Sequence, residues 1–516
     1  MATTDPERIP VIIGVGQVND RPDDPDQGLD SLGLMVAALE RAAADAGVPL
    51  AEIDSLAIVD QISFYSLGEL CDPLAAAIGA SPTVHYQSAA PHGDTPVRLL
   101  NEAANRIGAG EVKLAAIVGA EALRTAAGRA AKAASGEDKS YNAIRKVATR
   151  REPDYAQRHG LSAPVDVYPL YENATRAAWG QSLAEAQAES AEIWSRFSQV
   201  AAGNEGAWIR KPATPADILR VNERNRPIAF PYSKLMVANS SVNQGAGFLV
   251  ASLAEARRRG IAEDRLIYVG MGAAAKEPAS ILARDRYDGS VSMETSIART
   301  LALNGMTAED FDCVELYSCF PCVPKMARRV LGWPADRPAT VFGGLTFGGG
   351  PIANYMSHAI VSMTERLRRE GRYGFLFANG GFATDNHCIV LGKGPIAAAQ
   401  FPQDFDYQAE AEAKRGGVPE LVQDYAGPAT IESYTIFYAR DGAPKAGVVV
   451  ARTPAGQRTL AHVDVNDAAM LAFLTDGTRE PVGTAGQMVA LAEGYGWRAA
   501  QTSMGPDPNS RSGFRN

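Results

Sequence analysis

DAGVPLAEIDSLAIV, residues 45 to 59, and LNGMTAEDFDCVELY, residues 303 to 317, are two copies of one pattern. Each leaves a helix at a glycine (Gly47, Gly305), crosses a short acidic linker and reaches an aspartate (Asp54, Asp312) that opens a strand. The glycine-to-aspartate spacing is the same in both. Glycine suits the turn because only it takes the left-handed conformation without steric cost. A second pair follows in the same order. GEVKLAAIVGAEA from Gly110 and GRYGFLFANGGF from Gly371 both leave a helix at a glycine, run through an unbroken apolar stretch and meet another glycine (Gly119, Gly380). Apolar runs such as LAAIV and FLFA indicate strands buried on both faces, hence sheets covered by helices. Two β-α halves about 260 residues apart predict a duplicated α/β core, with five alternating layers of helix and sheet as one solution.

The rest of the chain divides around that core. Residues 1–124 read as the first half, 125–225 as an insertion, and 226–404 as the second half, whose first part completes the first. The insertion holds the charged, exposed-looking GEDKSYNAIRKVATRREPD (136–154) and the amphipathic SLAEAQAESAEIWSRFSQVAA (182–202). From 405 to 505 the texture changes. ATIESYTIFYARDGAPKAGVVVARTPAGQRTLAHV (429–463) alternates β-formers around Asp441-Gly442 and Pro454-Ala455-Gly456, which predicts antiparallel hairpins and a small β-barrel-like domain. Residues 506–516 read as a disordered tail.

Composition excludes several function classes. The 516 residues are 46% hydrophobic and 21% charged, ordinary for a globular enzyme. A net charge of −9 leaves no basic footprint for nucleic acid. No apolar run approaches a membrane span, and the N-terminus lacks a secretion pattern. Five irregularly spaced cysteines make no disulfide framework. The expectation is a cytoplasmic, reduced protein with no bound metal and no permanent cofactor.

The duplicated halves resemble the thiolase superfamily over roughly residues 8 to 398. The likeness is diffuse in VIIGVGQ near the start and sharper later. ANSSVNQGAG from Ala238 is similar to the Asn-Ala-Ser-Gly-Ile-Asn-Asp-Gly stretch of thiolases. GGLTFGGGP from Gly343 is similar to the segment leading into their Gly-His-Pro motif. YSCF (Tyr317 to Phe320) stands where ordinary thiolases carry Asn-Glu-Ala-Phe and sterol-carrier-type thiolases His-Asp-Cys-Phe. The resemblance implies coenzyme A thioesters as substrates, a homodimer or monomer, and an OB-like C-terminal domain as in a bacterial thiolase-like class.

It also implies three absences. The thiolase nucleophile is a cysteine at the N-terminus of a central helix, where dipole and backbone N–H groups favour a thiolate. That helix is PVRLLNEAANRIGAG, with Val97, Leu100, Ala104 and Ile107 on one face, Pro96 in its first turn and Thr95 or Asp94 as cap. The nucleophile position falls on Gly93, the Gly-His-Pro histidine on Gly350 and the second cysteine on Ala378. What remains is Cys319, matching an acid/base cysteine, together with the Gly93 and Gly380 amides as an oxyanion hole, Tyr317 as a donor and His92 as a possible acid/base. His387 and His358 are weaker candidates. Ser240, Gly349 and Gly350 are expected along the substrate's path. Cys319 and Cys322 could form a redox or half-zinc pair, but no second ligand pair is visible; a small buried thiol is an equally simple reading of Cys319.

Without a nucleophile, ping-pong acyl transfer has no place to hold the acyl group. Carbon–carbon bond cleavage or formation beside a thioester, of retro-aldol or Claisen type, needs only a base and enolate-stabilising donors. Acetyl-CoA acyltransferase activity and a non-catalytic CoA-ester-binding scaffold are the alternatives.

Overall fold

A computed structural model describes residues 5–134 and 152–499. The charged segment at 136–151 and the tail at 506–516 lie outside the described residues. The first half contributes β1 (Pro10–Asn19), β2 (Ser55–Ile58), β3 (Val84–Gln87) and β4 (Leu114–Ala122), with helices α1 (Ser31–Ala46) and α2 (Thr95–Ala109). The insertion adds α3 (Pro164–Ala178), α4 (Leu183–Gly203) and a short hairpin, β5 (Pro227–Ala229) and β6 (Tyr232–Ser233). Next come β7 (Asn243–Ser252), β8 (Ile267–Lys276), α5 (Val291–Asn304), β9 (Cys313–Leu316), α6 (Cys322–Leu331), α7 (Tyr355–Arg369), β10 (Tyr373–Gly380) and β11 (Asp385–Gly392).

The duplication is real at the level of topology. Reading outward from the junction, the first half runs β1-β7-β4-β2-β3 and the second β8-β11-β10-β9. β2 and β9, the strands opened by Asp54 and Asp312, pair in parallel with β4 and β10. β4 and β10 then pair antiparallel with β7 and β11. Gly47 and Gly305 cap their helices at φ 66° and 63°, the conformation that called for glycine. The two sheets meet along one short seam, Val11 and Ile12 against Tyr268 and Ile267.

Central helices α2 and α7 touch strands of both halves and each other, while α1 and α5 cover the outer faces. This is the five-layer mixed α/β thiolase fold. The face chosen from periodicity in α2 is the buried one, with Val97, Leu100, Ala104 and Ile107 all fully enclosed. Each of the three larger side chains contributes about 1.5–3 kcal/mol from burial.

After β11 the chain builds β12 (Gly427–Tyr438), β13 (Pro444–Arg452), β14 (Arg458–His462), α8 (Ala468–Thr475), β15 (Ala485–Ala490) and β16 (Tyr495–Ala499). Pairings β12-β13-β14-β16-β15-β12 close a five-stranded barrel, with β14 and β16 parallel. That architecture, with a helix between the third and fourth strands, is OB-like. The barrel packs on the insertion. Ser433 Oγ donates to the Leu170 carbonyl (2.6 Å) and Asn173 Nδ2 to the Tyr434 carbonyl (2.9 Å). Helix α3, whose polar residues and internal Pro169 hid it in the sequence, is therefore a buried strut between core and barrel. Its Glu172 forms a fully buried ion pair with Lys325 of α6.

Candidate active site

Three separate loops converge at the end of the core where α2 and α7 begin. Ala238 N donates to the Cys319 carbonyl (3.1 Å), Asn239 N to the Leu345 carbonyl (3.0 Å) and Gly350 N to the Asn239 carbonyl (2.8 Å). The three stretches singled out in the sequence thus form one backbone-bonded platform. Gly349 stands at φ 106° and buried, and a Cβ there would lie 2.1 Å from Gln244 Oε1, so only glycine fits. Ser240 is exposed on the same platform.

At the N-terminus of α2, Gly93 is tightly enclosed. A Cβ on Gly93 would stand 2.2 Å from the Asn379 carbonyl oxygen and 2.7 Å from the Tyr317 hydroxyl. No cysteine fits that space. The Gly93 N–H has no acceptor among the described residues. Gly380 lies against it, since a Cβ there would be 3.0 Å from the Gly93 nitrogen. Tyr317 is buried with its ring edge-on to Tyr355, and its hydroxyl has no hydrogen-bond partner among the described residues. Burial pushes its ionisation far up, so it stays a proton donor.

Cys319 sits deeper. It is 8% exposed, and burial pushes its thiol up to about 12 despite the nearby Tyr168 hydroxyl. Tyr168 of α3 stacks on Phe320 (4.7 Å between centroids) and donates to Asn379 Oδ1 (2.8 Å), so aromatic side chains fill the space beside the thiol. All five cysteines are reduced and buried. Cys322 donates to the Tyr168 carbonyl rather than pairing with Cys319. His387 and His358 are buried on β11 and α7, each bonded to an amide side chain (Asn101, 2.8 Å; Gln17, 2.9 Å). Burial pushes both down to about 3, which leaves them neutral structural groups.

His92 is the histidine with access to solvent here, its side chain 47% exposed. Nδ1 bonds Asp385 Oδ2 at 2.8 Å, and Lys276 Nζ reaches the other carboxylate oxygen at 3.0 Å. Strand register makes this arrangement. Asp385 opens β11 directly opposite Gly380 of β10 and Lys276, the last residue of β8. The hydrogen bond to Asp385 raises the His92 pKa. Burial alone would lift Asp385, but bonds to His92 and Lys276 outweigh it and hold that carboxyl below its usual range.

Asp94 was legible only as a helix cap, and it makes no capping bond. It is 7% exposed, its carboxyl has no hydrogen-bond partner among the described residues, and burial, with the Asp385 charge adding, pushes it up to about 6. The two neighbouring aspartates are thereby driven apart in pKa. Among the described residues, His92, Asp94 and Asp385 are the trio that could hold a metal, with ligand atoms within 4.8 Å of one another. The Lys276 ammonium already supplies a cation on Asp385.

Comparisons with known proteins extend the picture. Residues 408–491 match the family described as thiolase-like protein type 1 additional C-terminal domain. A monomeric SCP2-thiolase like protein type 1 from Mycobacterium smegmatis is similar at 29% identity and TM-score 0.79, over 97% of this chain and 100% of that one. An Ltp2–ChsH2(DUF35) aldolase is similar in fold at 17% identity and TM-score 0.56, over 75% of this chain and 98% of that one. The dimeric peroxisomal thiolase of Saccharomyces cerevisiae gives 15% identity and TM-score 0.55, over 76% and 99%. A comparison with curated proteins finds no match.

Proposed function

The chain belongs to the thiolase superfamily and carries the additional C-terminal domain of its thiolase-like members; from that premise we propose that it cleaves carbon–carbon bonds in β-hydroxyacyl-CoA thioesters by a retro-aldol step. One observation carries the reading: a solvent-accessible His92–Asp385 pair (2.8 Å) beside the abutting Gly93 and Gly380 backbones. His92 takes the β-hydroxyl proton, with Asp385 holding its ring. The Cα–Cβ bond then breaks, its electrons forming the thioester enolate as the β-carbon becomes a carbonyl. The Gly93 N–H, with Gly380 and the Tyr317 hydroxyl, stabilises the enolate oxygen. His92 then returns the proton it took to the α-carbon, beside the buried Asp94 carboxyl. Run backwards, the same groups join a carbonyl to an enolate.

Covalent acyl transfer has less support. Gly93 has no room for a side chain, and Cys319 is held as a neutral thiol away from solvent. Likeness to an aldolase whose name includes a DUF35 protein supports the retro-aldol reading, with the fused OB-like barrel in the place of a separate subunit. Likeness to a monomeric protein favours a monomer. One observation favours the scaffold instead: Tyr168 and Phe320 crowd the space beside Cys319. The deciding experiment incubates the full chain with a panel of β-hydroxyacyl-CoA thioesters and follows the shortened thioester by mass spectrometry. Turnover of any member supports the enzyme. Binding without turnover across the panel supports the scaffold.

A further inference from the structure

A cavity of about 1040 Å³ lies away from this site. It lies between β1, the C-terminal end of α1, the last turn of α4, the loop from Trp333 to Val341 and the second half of α7. Helix α7 measures the separation. Its first residue, Tyr355, packs on Tyr317, while Ser362 to Arg369 line the cavity. Ser362 lies seven and Arg369 fourteen residues beyond Tyr355, about 10 and 21 Å along the helix, so the two places are distinct. The volume is at the upper end for small-molecule sites.

Six arginines and four carboxylates face this space, in a chain that is net acidic. Asp45 is engaged by both Arg265 and Arg368, the latter at 2.7 Å. Asp312 is engaged by the backbone amides of Arg372 (2.6 Å) and Tyr373 (3.2 Å). That leaves Arg41, Arg337, Arg366 and Arg369 against Glu205 and Glu365. Arg366 reaches Glu370 at the rim (3.0 Å). Arg337 is preorganised, with its guanidinium 3.9 Å over the Trp333 ring and Nη2 donating to the Asp312 carbonyl at 2.7 Å. Arg369 is exposed and makes no hydrogen bond or salt bridge among the described residues.

We infer that this cavity binds a polyphosphorylated small molecule, with Arg337 and Arg369 as its phosphate ligands. Guanidinium forks match phosphate oxygens two at a time. Nothing in this inference depends on the retro-aldol reading.

Titration calorimetry of the full chain with inorganic pyrophosphate, at matched ionic strength and with citrate as the non-phosphate polyanion, tests it. Saturable binding is expected, weakened about tenfold or more in Arg337→Ala and in Arg369→Glu, and unchanged in His92→Ala. The Arg369 variant removes a side chain with no hydrogen bond or salt bridge among the described residues, whose charge acts on Glu365 four residues earlier. Absence of saturable binding up to about 10 mM pyrophosphate, or equal affinity in both arginine variants, would overturn the site. Citrate binding as tightly as pyrophosphate would overturn the phosphate assignment. Loss of binding in His92→Ala would place the anion at the catalytic end and overturn the separation.

Discussion

Replacing Gly93 by alanine tests how tightly the N-terminus of α2 is packed. The backbone there has no positive φ, so alanine is conformationally allowed. On that ground alone the substitution would stabilise by about 0.4–1 kcal/mol, through reduced freedom of the unfolded chain. Space decides otherwise. The new Cβ would lie 2.2 Å from a carbonyl oxygen and 2.7 Å from the Tyr317 hydroxyl, overlaps that force backbone and ring apart. Overpacking of this kind costs about 1–3 kcal/mol, so the net effect is destabilising by about 0.5–2.5 kcal/mol. Gly93→Cys is expected to lose at least as much and to gain no thiolytic activity on acetoacetyl-CoA. Gly203→Ala is the control, since a Cβ there meets nothing within 4 Å; it should be neutral or stabilising. Urea midpoints of the three variants decide the matter. A Gly93→Ala protein as stable as the wild type, or a Gly93→Cys protein with thiolase turnover, would refute the steric argument.

Other expectations follow from the same geometry. His92 must be neutral to act as a base and its pKa is raised by Asp385, so kcat/KM should rise with pH through a value above 6.5. Asp385→Asn should move that limb to lower pH; an unmoved pH profile would separate the pair from catalysis. The stability contributed by the His92–Asp385 pair is fully present below the unfolded histidine pKa and lost as pH rises through the folded one. Asp94 acts in the same direction at lower pH, because a carboxyl lifted to about 6 resists ionisation in the folded state. Stability should therefore fall between about pH 4 and pH 6, by up to about 3 kcal/mol. Asp94→Asn should restore most of it at pH 8, read from urea midpoints. Lys325→Met leaves Glu172 charged and buried and should cost about 3–5 kcal/mol, with Glu172→Gln added to it recovering a large part. Equal stability of the single and double variants would show that the pair is not coupled.

Much of the fold was legible because it rests on local chemistry repeated at fixed spacing. Gly47 and Gly305 had to be left-handed, and LAAIV and FLFA had to be buried on both faces. Helix α3 was not legible. Its Glu172, Asn173 and Arg176 are each buried and bonded to a partner on α6 or the barrel, far away in sequence. The site divides the same way. Gly93 and Gly380 could be placed by counting from helix and strand ends. Asp385 and Lys276 could not, because strand register alone brings them to His92. For Cys319 the sequence left an acid/base thiol and a small buried one both open, and the rings of Tyr168 and Phe320 show how it is enclosed.

The most direct test of the central claim is β-hydroxyacyl-CoA cleavage measured side by side in the wild type, His92→Ala and Cys319→Ala. The account predicts turnover in the wild type, its loss in His92→Ala and its retention in Cys319→Ala. Activity that survives in His92→Ala and disappears in Cys319→Ala would return the acid/base role to the buried thiol and contradict it.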